Sequence, residues 1–128
     1  MKNNIETVIF DFGGVLVEDA APGRNKYLAD FLQVSLEKFE RAYGKLRDPF
    51  MQREFPEREF WPLLCEDLSV KVPETPYSLW TASFAQEYKK RDSMFTLVSS
   101  LRDKGYKVGL LSNIEVPILD YVFDDLKG

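Results

Sequence analysis

The sequence predicts an α/β protein, in which a core of parallel strands is interrupted by an inserted helical subdomain. Short apolar runs typical of buried strands lie near both ends of the chain, at residues 7–10 and 108–111. Between them, over residues 20–91, apolar residues recur with helical spacing instead. We therefore expect residues 1–19 and 92–128 to form the core and residues 20–91 to form the helical insertion.

Composition and charge narrow the range of functions. The 128 residues are 45% hydrophobic and 30% charged, which is ordinary for one globular domain. The net charge is −4 with both signs interspersed, so we expect no nucleic-acid binding. No apolar run approaches the length of a membrane span, and the polar N-terminus does not resemble a signal peptide. The lone Cys65 cannot form an internal disulfide and fits a cytoplasmic protein, as a small core residue.

The sequence contains no histidine, which excludes whole classes of chemistry. Ser-His-Asp and Cys-His nucleophile systems are ruled out, and so is every metal site built on histidine. Any reaction must therefore use carboxylates, hydroxyls, lysines, backbone amides or hard cations. Those groups suit Mg²⁺ and phosphate chemistry.

The first strand leads directly into a candidate site. The run Thr7–Phe10 predicts a buried strand, and Asp11 stands where that strand ends. Gly13 and Gly14 follow, and two glycines let the backbone turn sharply and approach a ligand closely. A carboxylate at the C-terminal end of a parallel strand lies where open α/β sheets bind ligands. The alternative is that Asp11 is only a turn residue or a helix cap.

Four amphipathic helices are predicted within the insertion. The segment Ala20–Gly23 has the composition of a linker, Asp48-Pro49 is expected to break the second helix, and Pro62 fits best in a first turn. Tyr27, Leu28, Phe31 and Leu32 mark the first helix, and Ser35 can cap the second. The third and fourth helices are predicted at Glu57–Leu68 and Tyr77–Tyr88. Their aromatic stripes are expected to form a core, with the alternative that some line a substrate pocket facing Asp11.

The second strand is predicted after a helix over Met94–Lys104, whose apolar side we expect to be buried. Asp92 or Ser93 can cap that helix, and Gly105 is suited to end it. The apolar run Val108–Leu111 then predicts a second buried strand parallel to the first, which completes a β-α-β crossover.

Polar residues follow this second strand, as they follow the first. Ser112 and Asn113 come directly after it, so we expect them at the same sheet edge as Asp11. A hydroxyl, an amide and the backbone N–H groups of Gly13 and Gly14 can hold phosphoryl oxygens, while a carboxylate can attack phosphorus. The alternative for Ser112-Asn113 is a hydrogen-bonded turn.

These segments resemble the haloacid dehalogenase (HAD) superfamily, in its capped phosphatase branch. The resemblance rests on Phe10-Asp-Phe-Gly-Gly-Val-Leu-Val17, the helical insert, and Leu101-Arg-Asp-Lys-Gly-Tyr-Lys-Val-Gly-Leu-Leu-Ser-Asn113. It implies that Asp11 is the nucleophile and a Mg²⁺ ligand, with the Gly13 carbonyl as a second ligand. It implies that Ser112, helped by Asn113, binds the transferring phosphoryl group of a small phosphorylated metabolite. The insertion would be the cap that selects the substrate.

The chain departs from the family pattern in two places. Most family phosphatases carry an aspartate two residues after the nucleophile as general acid and base, where this chain has Gly13. The family also needs a later lysine and an acidic pair, and the chain looks truncated before them. Asp124-Asp125 imitates the pair, but we expect it to end a helix or loop. We therefore expect little activity from these 128 residues alone, and self-association through an incomplete sheet edge.

Two alternative functions remain open from the sequence. The missing general acid, lysine and acidic pair favour a catalytically silent domain that binds a partner or ligand. A halide-releasing hydrolase would use the same Asp11, but that branch carries a different pattern after the nucleophile.

Overall fold

A computed structural model describes residues 4–75 and 77–126, and it contains six helices and two strands within them. In chain order these are β1 Thr7–Phe10, α1 Ala21–Leu32, α2 Leu36–Met51, α3 Glu57–Leu68, α4 Leu79–Glu87, α5 Asp92–Asp103, β2 Lys107–Leu110 and α6 Val116–Leu126. Contacts divide the described residues into two units. The α/β unit takes those within Met1–Ala20 and Tyr88–Ser112, and the helical unit takes those within Ala21–Glu87 and Asn113–Gly128.

The α/β unit contains the predicted parallel strand pair. Strands β1 and β2 pair in parallel, with a register that runs from Thr7 opposite Lys107 to Phe10 opposite Leu110. Helix α5 precedes β2 and packs against it. The helix begins at Asp92, and its N-cap residue Arg91 makes no side-chain capping hydrogen bond. The predicted α/β fold with parallel strands is therefore confirmed.

The predicted burial of these strands and of α5 is wrong. Ile9 is 63% exposed and Leu111 is 72% exposed, and α5 has no buried residue, with Leu97 43% exposed. The physical reason is that the described sheet has two strands, so its faces have few neighbours to cover them. The apolar pattern marks the faces that can be buried, whereas burial itself depends on what packs against them.

The helical unit is organised around an aromatic core. Trp80 is completely buried, and its ring lies 5.1 Å from Tyr43, 5.6 Å from Phe50 and 5.2 Å from Phe60 between centroids. These edge-on arrangements are the ones that aromatic quadrupoles favour. The aromatic stripes of the insertion therefore form a core, as predicted. Cys65 is also fully buried, and burial raises the pKa of its thiol, which makes it a core residue and a poor nucleophile.

Three proline predictions in this unit are wrong. Helix α1 begins at Ala21, inside the predicted linker, because Pro22 stands in the first turn, where a missing N–H costs no helical bond. Helix α2 continues through Pro49 to Met51, and α3 contains Pro62 beyond its first turn. Packing of α2 on α3 stabilises both helices through buried side chains, and this outweighs the loss of one hydrogen bond at each proline.

The described residues from Asn113 onwards group with the helical unit, whereas the sequence analysis expects residues 92–128 in the core. Helix α6 packs on α4, where the Thr81 hydroxyl donates a hydrogen bond to the Pro117 carbonyl at 3.0 Å. Asp124 and Asp125 lie within α6, at its last turn, as expected. Among residues 4–75 and 77–126, no helix is long and apolar enough to cross a membrane.

A buried polar cluster links Glu115, which directly precedes α6, to helices α1 and α2 of the same unit. The Glu115 carboxylate is 3% exposed and accepts hydrogen bonds from the Tyr43 hydroxyl at 2.8 Å and from Arg24 Nη1 at 3.3 Å. The Arg24 guanidinium also lies over the Trp80 ring, 4.8 Å from its centroid. The charges are thus paired and shielded from water, which is the condition under which buried ions are tolerated.

Candidate functional site

Asp11 stands at the C-terminal end of β1, and its carboxylate is exposed. The backbone N–H of Phe12 donates to Asp11 Oδ1 at 2.7 Å, which orients the carboxylate with respect to its own backbone. No hydrogen bond to Oδ2 is found among the described residues. One carboxylate oxygen is thus held by the chain while the other is open to a ligand, a metal ion or an electrophile.

The chain after Asp11 makes a tight turn centred on Phe12. The Phe12 carbonyl accepts hydrogen bonds from the backbone N–H groups of Val15, Leu16 and Val17, at 3.1, 2.9 and 3.2 Å. The Phe12 side chain is buried and stacks on Tyr88, with ring centroids 6.4 Å apart. The buried Phe12 side chain therefore fixes the backbone next to the exposed Asp11 carboxylate.

The two glycines have different roles in this turn. Gly14 has φ +80°, a conformation that glycine adopts without strain, and its N–H donates to the Val17 carbonyl at 2.8 Å. Gly13 does not have a positive φ, and a Cβ placed there meets no atom within 4 Å. The space beside Gly13 is open, so the backbone admits a side chain at this position.

Ser112 lies just beyond the end of β2, at the same edge as Asp11. The β2 register continues past Leu110, because the Leu111 N–H donates to the Phe10 carbonyl at 3.0 Å. Asp11 and Leu111 are therefore level across the strand pair, and Ser112 is one residue further. The α/β unit thus brings Asp11, Gly13, Gly14 and Ser112 to one edge. Asn113 is the first residue of the helical unit, and its role stays a prediction.

The donor set at this edge consists of hard oxygen atoms. Asp11 offers one open carboxylate oxygen, and Gly13 and Ser112 offer a carbonyl and a hydroxyl. Mg²⁺ is often held by one or two carboxylates and keeps several water ligands, so these residues fit part of its coordination shell. Across residues 4–75 and 77–126, however, no three His, Cys, Asp or Glu side chains are grouped to hold a metal.

One residue near the turn was not identified from the sequence. Arg91, the last residue before α5, donates from Nη1 to the Gly14 carbonyl at 2.8 Å. It lies 77 positions away from Gly14 in the chain, so no local pattern signals the contact. The one sequence signal for this contact is that a basic residue stands where the insertion ends and the core segment resumes.

Comparison with known proteins shows the fold. No family model and no curated protein matches the chain. Among solved structures, the HAD family enzyme BT-2542 from Bacteroides thetaiotaomicron is similar. Its wild-type complex with magnesium and inorganic phosphate aligns with TM-score 0.71 and 20% identity, covering 95% of this chain and 60% of that chain. A second structure of BT-2542 aligns with TM-score 0.69 and 21% identity, covering 96% and 60%.

A magnesium complex of the same enzyme gives TM-score 0.68 and 20% identity, covering 96% of this chain and 59% of that chain. This chain therefore spans about 60% of the length of the structures it resembles. At these identities the likeness is one of fold, and it confirms the predicted HAD-like α/β architecture with an inserted helical segment.

Proposed function

We propose, from the HAD enzyme fold that the chain shares, that it belongs to a Mg²⁺-dependent phosphatase that forms an aspartyl-phosphate at Asp11. The substrate class is a small phosphorylated metabolite. The observation that carries the proposal is the exposed Asp11 carboxylate, which has one oxygen held by Phe12 N–H and the other open. It stands at the edge where the Gly13-Gly14 turn and Ser112 also lie. The magnesium and phosphate complex of BT-2542, which has the same fold, supports this chemistry.

The reaction divides into two displacements at phosphorus. The open oxygen of Asp11 attacks the phosphorus, a new O–P bond forms, and the bond to the substrate oxygen breaks. The leaving oxygen takes a proton from solvent water. A second water molecule then attacks the phosphorus, loses a proton to solvent and breaks the bond between Asp11 and phosphorus, which restores the carboxylate and releases phosphate. The Phe12 N–H holds Asp11 Oδ1 throughout, which keeps the attacking oxygen oriented.

The phosphoryl group needs partners for its charge. We assign the Ser112 hydroxyl, the Asn113 amide and the Gly13 N–H to its oxygens. The Gly14 N–H was predicted for the same role, but it already donates to the Val17 carbonyl. Asp11 and the Gly13 carbonyl would hold Mg²⁺, which would supply positive charge to offset the repulsion between carboxylate and phosphate. The cap formed by the insertion selects the substrate.

Proton transfer to the leaving group is the weak step. Gly13 offers no carboxyl, and general acid catalysis contributes about 10²- to 10⁴-fold. We therefore expect the 128-residue chain by itself to show weak or no turnover. The test is phosphate release from p-nitrophenyl phosphate with and without Mg²⁺, with Asp11→Asn as the matched control. Any release above background should disappear in Asp11→Asn, so equal release above background by both proteins would contradict the proposal.

A second candidate is a catalytically silent domain that binds a ligand or partner. Gly13 and the lack of a three-residue metal group among the described residues favour it. Calorimetric titration with inorganic phosphate and a turnover assay with phosphate esters together separate the two candidates. Binding without any turnover of phosphate esters supports the silent domain, whereas Mg²⁺-dependent turnover that Asp11→Asn abolishes supports the enzyme.

The cytoplasmic location and the self-association expected from the sequence stay predictions. Exposed apolar side chains on the strand pair support self-association, because Ile9 and Leu111 are among the most exposed large hydrophobic residues described. Burying them in a second copy would remove this apolar surface from water.

A further inference from the structure

The segment that leads back from the insertion pairs with the segment that follows the glycine turn. Val17 and Lys90 form an antiparallel bridge. The Glu18 N–H donates to the Lys89 carbonyl at 2.8 Å, and the Arg91 N–H donates to the Leu16 carbonyl at 2.8 Å. All these residues belong to the α/β unit. These backbone hydrogen bonds therefore place Arg91 beside the turn independently of its side-chain contacts.

The Arg91 side chain then spans the turn. Its Nη1 donates to the Gly14 carbonyl at 2.8 Å, and its Nη2 donates to Glu18 Oε2 at 3.0 Å. One rigid guanidinium thus contacts Gly14 within the turn and Glu18 just after it. The Arg91 side chain is 37% exposed, so the contact to Gly14 is partly shielded and the contact to Glu18 more open to solvent.

The contacts of Gly14 orient the peptide between Gly13 and Gly14. This peptide is planar and trans, so its carbonyl points opposite to its N–H. Because the Gly14 N–H points to the Val17 carbonyl, the Gly13 carbonyl points away from that interior bond. On the C-terminal side of Gly14, the Arg91 guanidinium donates a hydrogen bond to the Gly14 carbonyl. Both peptide groups that flank Gly14 are therefore tied down, although glycine is the residue with most backbone freedom.

We propose that Arg91 is a positioning residue that fixes the Gly13-Gly14 turn so that the Gly13 carbonyl stays available as an oxygen ligand for a divalent cation. This inference rests on the proposed function for its effect on Mg²⁺. Its structural part, the restraint on Gly14, stands independently of that function. Arg91 acts through the turn and not by contact with the substrate.

The test uses the full chain with four variants. Arg91→Gln removes both contacts and the charge, Arg91→Lys keeps the charge with a single donor group, and Glu18→Gln removes only the ion pair. Arg102→Gln is the matched control, because it makes the same chemical change on exposed α5 of the same unit. Two quantities are measured: amide hydrogen exchange at Gly14, and the Mg²⁺ dissociation constant followed by NMR titration.

We expect Arg91→Gln to speed exchange of the Gly14 N–H by about tenfold and to weaken Mg²⁺ binding by a similar factor, as the loss of one charge-assisted hydrogen bond implies. Arg91→Lys should recover part of both effects. Glu18→Gln and Arg102→Gln should stay within about twofold of wild type, because solvent-exposed ion pairs contribute little.

Each outcome decides the matter. Faster Gly14 exchange together with weaker Mg²⁺ binding supports the proposal. Unchanged exchange in Arg91→Gln overturns it, and so does faster exchange with unchanged Mg²⁺ affinity. If wild type binds no Mg²⁺, the proposed function and the part of this proposal that concerns Mg²⁺ both fail. Gly14 exchange in Arg91→Gln then decides by itself whether Arg91 positions the turn.

Discussion

The substitution Tyr43→Phe tests the buried cluster that anchors α6. The Tyr43 hydroxyl donates to Glu115 Oε1 at 2.8 Å, and Glu115 is 3% exposed. Its removal leaves the carboxylate with the longer contact to Arg24, at 3.3 Å, and no direct access to bulk water. Hydrogen bonds to charged groups contribute about 1.5–3 kcal/mol, so we expect the free energy of unfolding to fall by about that amount.

The assay is urea denaturation followed by circular dichroism at neutral pH, with Tyr27→Phe as the control. Tyr27 belongs to the same unit and stacks on Phe31, so the control loses a hydroxyl away from the cluster. The control should change the unfolding free energy by less than about 0.5 kcal/mol. A Tyr43→Phe variant as stable as this control would refute the energetic role assigned to the cluster.

The same residue predicts a pH dependence. Burial raises the pKa of Tyr43 well above its usual value, and the negative charge of Glu115 raises it further, while Arg24 lowers it. The folded state therefore keeps its proton when the unfolded state begins to lose it, near pH 10. The stability that the protonated Tyr43 contributes is complete below pH 10 and falls above it, by about 1.4 kcal/mol at pH 11.

The Tyr43→Phe variant lacks this titration, whereas every other ionisable group is common to both proteins. The stability difference between wild type and variant should therefore narrow between pH 9 and pH 11, by about 1.4 kcal/mol. Urea denaturation of both proteins at several pH values measures it. A difference that stays constant over this range would contradict the reasoning.

Further predictions concern the turn, the aromatic core and the sheet. Gly13→Asp should increase Mg²⁺-dependent phosphate release by about 10- to 100-fold, since the site has room for the side chain and gains a general acid; unchanged release argues against that role. Trp80→Ala should lower the unfolding free energy by about 3–5 kcal/mol in urea denaturation, because Trp80 is fully buried. Ile9→Lys with Leu111→Lys should shift the chain toward monomer in native mass spectrometry, whereas an unchanged mass distribution excludes the sheet as the contact.

Local features that depend on chain chemistry could be predicted from the sequence. Strand β1 and helix α3 have the predicted bounds, Thr7–Phe10 and Glu57–Leu68. The parallel pairing of the strands followed from their apolar runs and the intervening helix. Asp11 and Gly14 could be placed because a strand end and a tight turn have clear local signatures.

Features that depend on distant neighbours could not be predicted. Pro49 lies inside α2 because tertiary packing outweighs a local breaker. The exposure of Ile9 depends on which elements cover the sheet, which no pattern within β1 records. The contact from Arg91 to Gly14 joins residues 77 positions apart, and the Glu115 cluster likewise joins three separate helical-unit segments.

The most direct test of the account is whether Asp11 becomes phosphorylated. The phosphatase to which we propose that this chain belongs is incubated with Mg²⁺ and a phosphate ester, quenched in acid, digested and analysed by mass spectrometry beside its Asp11→Asn variant. The account predicts a phosphorylated peptide containing Asp11 in wild type, and neither this peptide nor phosphate release in the variant. Phosphate release that persists in Asp11→Asn would contradict the central claim that this carboxylate is the nucleophile.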